Sequence, residues 1–81
     1  SEVKEFLTIP IGEGVVKIDI ADIYFIEGQR HNVIYYTSRG DYCSRITMKE
    51  LEEKLAVHNF FRCAKGYLVN MNHVDLLVLI V

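Results

Sequence analysis

Apolar and polar positions alternate with period two in two runs near the start of this chain, residues 7–11 and 16–20. Leu7, Ile9 and Ile11 are separated by Thr8 and Pro10, and Val16, Ile18 and Ile20 by Lys17 and Asp19. Alternation of this kind turns one face of a strand to a core and the other to water, and Gly12-Glu13-Gly14 between the two runs supplies the turn of a hairpin. Pro10 has no amide proton to donate to a neighbour, which confines the first strand to an edge. Residues 23 to 26 (Ile-Tyr-Phe-Ile) then break the alternation by being apolar at every position, the pattern of a strand covered on both faces. After a polar loop, Gly28 to Asn32, residues 33–37 and 42–47 are rich in β-branched and aromatic types. They predict a second hairpin, with Ser38-Arg39-Gly40-Asp41 as its turn and Gly40 where a positive φ is needed.

The periodicity changes once. Leu51 and Leu55 stand four apart, and Thr47 followed three residues later by Glu50 is the pattern of a capping box, in which each side chain accepts the other's free backbone N–H. A helix over about 48–56 is predicted, ending before His58-Asn59. Phe60 to Val69 reads as another strand-like segment. Asn70 to Asp75 reads as a turn or one helical turn, with the Asn70 amide capping it. Leu76 to Val81 is an apolar run, expected as a strand whose neighbour lies beyond the last residue. The fold class predicted is therefore mainly β: small antiparallel strands and hairpins with one short α-helix.

Composition narrows the function more than the fold. A chain of 81 residues allows one domain, and 51% hydrophobic with 25% charged residues is the balance of a folded one. No apolar stretch approaches the roughly 18 residues that span a bilayer, and the acidic start, Ser1 to Glu5, is unlike a signal peptide. Two cysteines, Cys43 and Cys63, are too few for a secreted disulfide framework, so a cytoplasmic setting is expected. Both are read as small apolar residues in or near the core. Tyr24, Tyr35, Tyr36 and Tyr67 are read as core or core-rim residues. No Ser-His-Asp set, Gly-rich phosphate loop or His-Glu-x-x-His is present, and His31, His58 and His73 lie in separate segments without a Cys pair near any of them. No catalytic, cofactor-binding or metal-binding residue is therefore assigned, and no enzymatic activity is expected. Glu50, Glu52 and Glu53 read as a solvated helix face.

A net charge of −2 argues against nucleic-acid binding, but its distribution argues the other way. Residues 28–47 hold Arg30, Arg39 and Arg45 against Asp41 alone. From Ala56 to His73 there is no acid, while Arg62 and Lys65 lie there with His58 and His73. Arg62 and Lys65 are flanked by small residues, Cys63, Ala64 and Gly66, in the run Phe-Phe-Arg-Cys-Ala-Lys-Gly-Tyr-Leu-Val-Asn (60–70). That setting presents a basic side chain on a closely approachable backbone. Arg30, His31 and Asn32 in the polar loop are types that read bases or bind phosphate.

This run, together with Asp22-Ile-Tyr-Phe-Ile-Glu27 and the capped helix, resembles the LytTR family of bacterial DNA-binding domains, over roughly residues 16–75. The family's pattern is Phe-x-Arg-x-His-Lys/Arg-Ser-Tyr-Leu-Val-Asn. Here Ala64 stands where His is usual and Gly66 where Ser is usual, so fine specificity should differ. The resemblance implies a single domain over 1–81 lacking its last strand or strands. It implies sequence-specific binding of double-stranded DNA in transcriptional regulation, by the output module of a response regulator in a two-component system. It also implies a dimer on direct repeats, a receiver or sensor domain elsewhere in the protein, and no membrane partner. By the same resemblance the loop Arg30-His31-Asn32 enters the major groove and Lys65 faces DNA. Arg62 either clamps phosphate or binds Glu27 internally. A second class of function, a small β module for protein–protein contact through the apolar edge at 76–81, is separable by its weak dependence on salt.

Overall fold

The opening alternation closes into the hairpin it predicts. In the computed structural model, which describes residues 4–75, β1 (Phe6–Ile11) pairs antiparallel with β2 (Gly14–Asp19), Leu7 opposite Ile18 and Ile9 opposite Val16. The turn between them uses Gly12 at φ +47°, and among the described residues β1 pairs with β2 alone, so Pro10 meets no second strand there. Ile20, expected in the strand, instead begins a 3₁₀ turn, Ile20–Asp22, because the Asp19 carboxylate accepts the Ala21 N–H at 3.0 Å and caps it.

Five further strands form a second sheet: β3 (Ile23–Gly28), β4 (Val33–Thr37), β5 (Gly40–Ser44), β6 (Phe60–Cys63) and β7 (Tyr67–Asn70), in spatial order β5-β4-β3-β7-β6 with every pairing antiparallel. The second hairpin turns after Thr37 as expected but is two residues tighter, so that β5 begins at Gly40 and ends at Ser44 rather than running over 42–47. Thr37 draws it tight, its hydroxyl donating to the Gly40 carbonyl at 2.7 Å and accepting the Arg39 N–H at 3.1 Å, with Gly40 at φ +117°. Residues 60–69, expected as one strand-like segment, are two strands folded back on each other. No sequence period separates a single strand from two short ones joined by a three-residue turn.

The helix α1 (Met48–Leu55) starts as predicted, with the Thr47 hydroxyl accepting the Glu50 N–H at 3.1 Å. A 3₁₀ turn, Ala56–His58, follows, and Asn59 at φ 63° ends it. Leu51 and Leu55 pack with Leu7, Ile9 and Ile18 of the first hairpin against one face of the five-stranded sheet, where Ile26, Val33, Tyr35 and Leu68 are buried. Burial of each such side chain contributes about 1.5–3 kcal/mol, and this core is what couples the two sheets. The polar groups it encloses are paired. The Tyr35 and Ser44 hydroxyls meet at 2.8 Å, and Asn70, 1% exposed, donates to the Ile23 carbonyl at 2.9 Å while accepting the Asn72 N–H at 3.1 Å. Asn70 thus has the expected structural role, starting the 3₁₀ turn Met71–His73.

Several expected burials are corrected. Ile23 and Ile26 are buried, but Phe25 is only half-buried and Tyr24 is exposed, so β3 is not covered on both faces by the described residues. The register breaks between Ile23 and Phe25, which is why alternate residues of β3 do not simply share a face. Tyr35 is core and Tyr36 rim, whereas Tyr67 is exposed on the outer face, as is Cys43 on the edge strand β5. Of the two adjacent phenylalanines, Phe60 packs on the core and Phe61 faces outward. The Leu76–Val81 segment, and with it the protein-interaction reading of that edge, lies outside the described residues.

Candidate nucleic-acid interface

Antiparallel pairing decides which connections share an end of the sheet. Val33, at the start of β4, lies opposite both Gly28, at the end of β3, and Ser44, at the end of β5; Tyr67, at the start of β7, lies opposite Glu27. The loop 29–32, the turn 64–66 and the link from Ser44 into α1 therefore meet at one end. The Gly28 N–H donates to the Gly66 carbonyl at 2.7 Å, which ties loop and turn directly. A side chain at residue 28 would place its Cβ 2.8 Å from Met48 Cγ, so glycine there lets the helix start close in behind the loop. Inside the loop, Gln29 N–H donates to the Asn32 carbonyl at 2.8 Å, leaving Arg30, His31 and Asn32 exposed.

The turn 64–66 holds Ala64 at φ 51° and Lys65 at φ 60°, the left-handed region that costs an L-residue roughly 1–2 kcal/mol. Arg62 sustains it. Its Nε and Nη2 both donate to the Lys65 carbonyl, at 3.0 and 2.9 Å, and its Nη1 donates to Glu52 Oε1 on α1 at 3.2 Å. The internal partner expected for Arg62 was Glu27; the structure gives Glu52, which is therefore not merely solvated. Glu27 lies on the opposite face of the sheet, where its carboxylate accepts the Tyr36 hydroxyl at 2.9 Å and the Tyr67 hydroxyl at 3.2 Å. Those hydrogen bonds hold both phenols above the usual tyrosine value.

The charge count along the chain had grouped Arg39 with Arg30 and Arg45. The fold separates them. Arg39 sits in the β4–β5 turn at the far end of the sheet, 3.9 Å from Asp22. Arg30, Arg45 and Lys65 lie at the near end, and among the described residues none of the three forms an ion pair. Between the loop and the link into α1 runs a groove of about 410 Å³, lined by Arg30, His31 and Asn32 on one wall and by Arg45, Thr47 and Glu50 on the other. Arg45 was not among the site residues expected from sequence. Its signal there was its place in the basic stretch 28–47, which did not distinguish it from Arg39.

Residues 13–79 match the family model of the LytTr DNA-binding domain, and the chain belongs to this family. The Escherichia coli K12 transcriptional regulatory protein YpdB is 32% identical over 62 residues, covering 76% of this chain and 25% of that protein. The sensory transduction protein LytT of Bacillus cereus is 32% identical over 68 residues, covering 84% of this chain and 28% of the relative. The chain thus spans about a quarter of the length of these regulators. A solved LytTr DNA-binding domain from Bacillus cereus superposes with a TM-score of 0.76 at 19% identity, over 91% of this chain and 68% of that one, and has the same fold. No helix among the described residues is long and apolar enough to cross a membrane.

Proposed function

We propose that this chain binds double-stranded DNA sequence-specifically to regulate transcription, as the output module of a bacterial response regulator. One observation carries the reading: the two segments singled out in sequence, Arg30-His31-Asn32 and Lys65, are more than thirty residues apart yet joined at one end of the sheet by the Gly28–Gly66 hydrogen bond. An exposed polar loop beside an exposed cationic turn is what a major groove accepts, since its floor displays a distinct donor and acceptor pattern for each base pair. Arg62 enters as the residue that holds the turn, because each of its three nitrogens donates to Lys65 or Glu52. A receiver or sensor domain in the same protein and dimeric binding to direct repeats belong to this proposal.

The test is affinity for a duplex selected by the wild-type protein from a random library, measured against salt. DNA binding weakens steeply as salt rises, because neutralised phosphates release their counterions. Lys65→Ala and a triple alanine replacement of residues 30–32 should each weaken it. If both variants bind like wild type, the interface lies elsewhere.

A further inference from the structure

We infer that Arg45 is a phosphate contact, and that the groove between residues 29–32 and the start of α1 takes the sugar–phosphate backbone at the rim of the major groove. The inference rests on the DNA reading above and extends its footprint to a third segment.

The order of strands sets the geometry. Along the near end of the sheet, Arg45 leaves the edge strand β5, the loop 29–32 joins β4 to β3, and the turn 64–66 joins β7 to β6. Neighbouring strands lie about 4.8 Å apart, so the loop and the turn are centred about 10 Å from each other, and Arg45 lies about 7 Å beyond the loop on the outer side. A major groove is about 12 Å wide. Loop and turn together fill it, and Arg45 falls outside, where the backbone is.

Position and chemistry agree with that place. Ser44, just before Arg45, is buried, with its hydroxyl bonded to Tyr35 and its backbone paired with Val33. Ile46, just after, packs on the core, and Thr47 caps α1. The Arg45 backbone is thus anchored on both sides while its side chain is exposed. Arg39 and Arg62 each pair with a carboxylate; Arg45 forms no ion pair among the described residues, so its planar fork keeps its donors for a phosphate. Arg30 lines the facing wall, and the two guanidinium groups outweigh the single carboxylate of Glu50.

The experiment uses the full-length protein with two labelled duplexes, one selected by the wild type from a random library and one unrelated. Arg45→Ala should lower affinity by the same factor on both, about fivefold at 0.15 M salt from the counterion term alone, and should reduce the log–log salt slope by about 0.9. Arg45→Lys, which keeps the charge, should restore the slope. Loss on the selected duplex alone with an unchanged slope would make Arg45 a base reader and overturn the inference. So would an Arg45→Ala protein that binds both duplexes like wild type. A wild type without affinity for any duplex would overturn the DNA reading as well, which separates the two failures.

Discussion

On the proposed DNA reading, Arg62 is the residue that positions the turn presenting Lys65. Its guanidinium has a carbonyl on one edge and a carboxylate on the other, and the carbonyl belongs to Lys65 itself. Lys65→Ala should weaken specific DNA binding roughly 5- to 150-fold, the value of a base contact worth about 1–3 kcal/mol. If the variant instead weakens binding uniformly on all sequences and flattens the salt slope, Lys65 contacts phosphate. Arg62→Ala should weaken binding too, by loosening the turn. In a double-mutant cycle the two losses should then be strongly non-additive, since each removes the same presented lysine. Additive losses in titrations of the double variant would give Arg62 a DNA contact of its own.

Two short elements are stabilised by identifiable local terms. Thr47→Ala removes the acceptor that satisfies the Glu50 N–H at the start of α1 and should cost about 1 kcal/mol in urea unfolding. The β6–β7 turn predicts a change of the opposite sign. Ala64 is exposed and left-handed, so Ala64→Gly relieves roughly 1–2 kcal/mol of backbone strain and gives back about 0.5–1 kcal/mol in unfolded-state entropy. A net stabilisation of about 0.5–1 kcal/mol is expected by the same measurement; destabilisation would mean that the turn is not left-handed there.

Over the whole molecule, alkaline pH acts through three tyrosines. Burial raises the Tyr35 phenol, and hydrogen bonding to Glu27 raises those of Tyr36 and Tyr67, all from an ordinary value of 10.0. The folded state therefore holds these protons more tightly than the unfolded chain. Their contribution is fully present below pH ~10, and it is lost as pH rises from the unfolded tyrosine pKa through the raised folded values. Chemical unfolding between pH 8 and 11 should show stability falling toward the upper end. Glu27→Gln should flatten that fall, because the amide lacks the negative charge and keeps only one of the two acceptor oxygens that raise the Tyr36 and Tyr67 phenols. A variant with the same alkaline slope as wild type would show that Glu27 is not the cause.

The boundary between what sequence reasoning reached and what it missed follows the range of the forces. Both hairpins and the helix were legible because alternation, a Gly-bearing turn and the Thr47–Glu50 cap act over a few neighbouring residues. The family resemblance also marked the loop 30–32 and Lys65. Long-range pairing was not legible. That β7 adds beside β3 (Phe25 opposite Val69) cannot be read from either strand alone, yet it brings the turn 64–66 to the loop 29–32. The β3–β7–β6 register also puts Arg62 on the other face from Glu27, while the local β4–β5 hairpin sends Arg39 to the far end and leaves Arg45 at the near one. Tyr24 and Tyr67 read as core or rim because apolar character shows which residues favour burial, while a register break and the number of covering layers settle which ones obtain it. Local chemistry thus selected the strands and the helix, and contacts between residues distant in the chain brought the loop 29–32 and the turn 64–66 together at one end of the sheet.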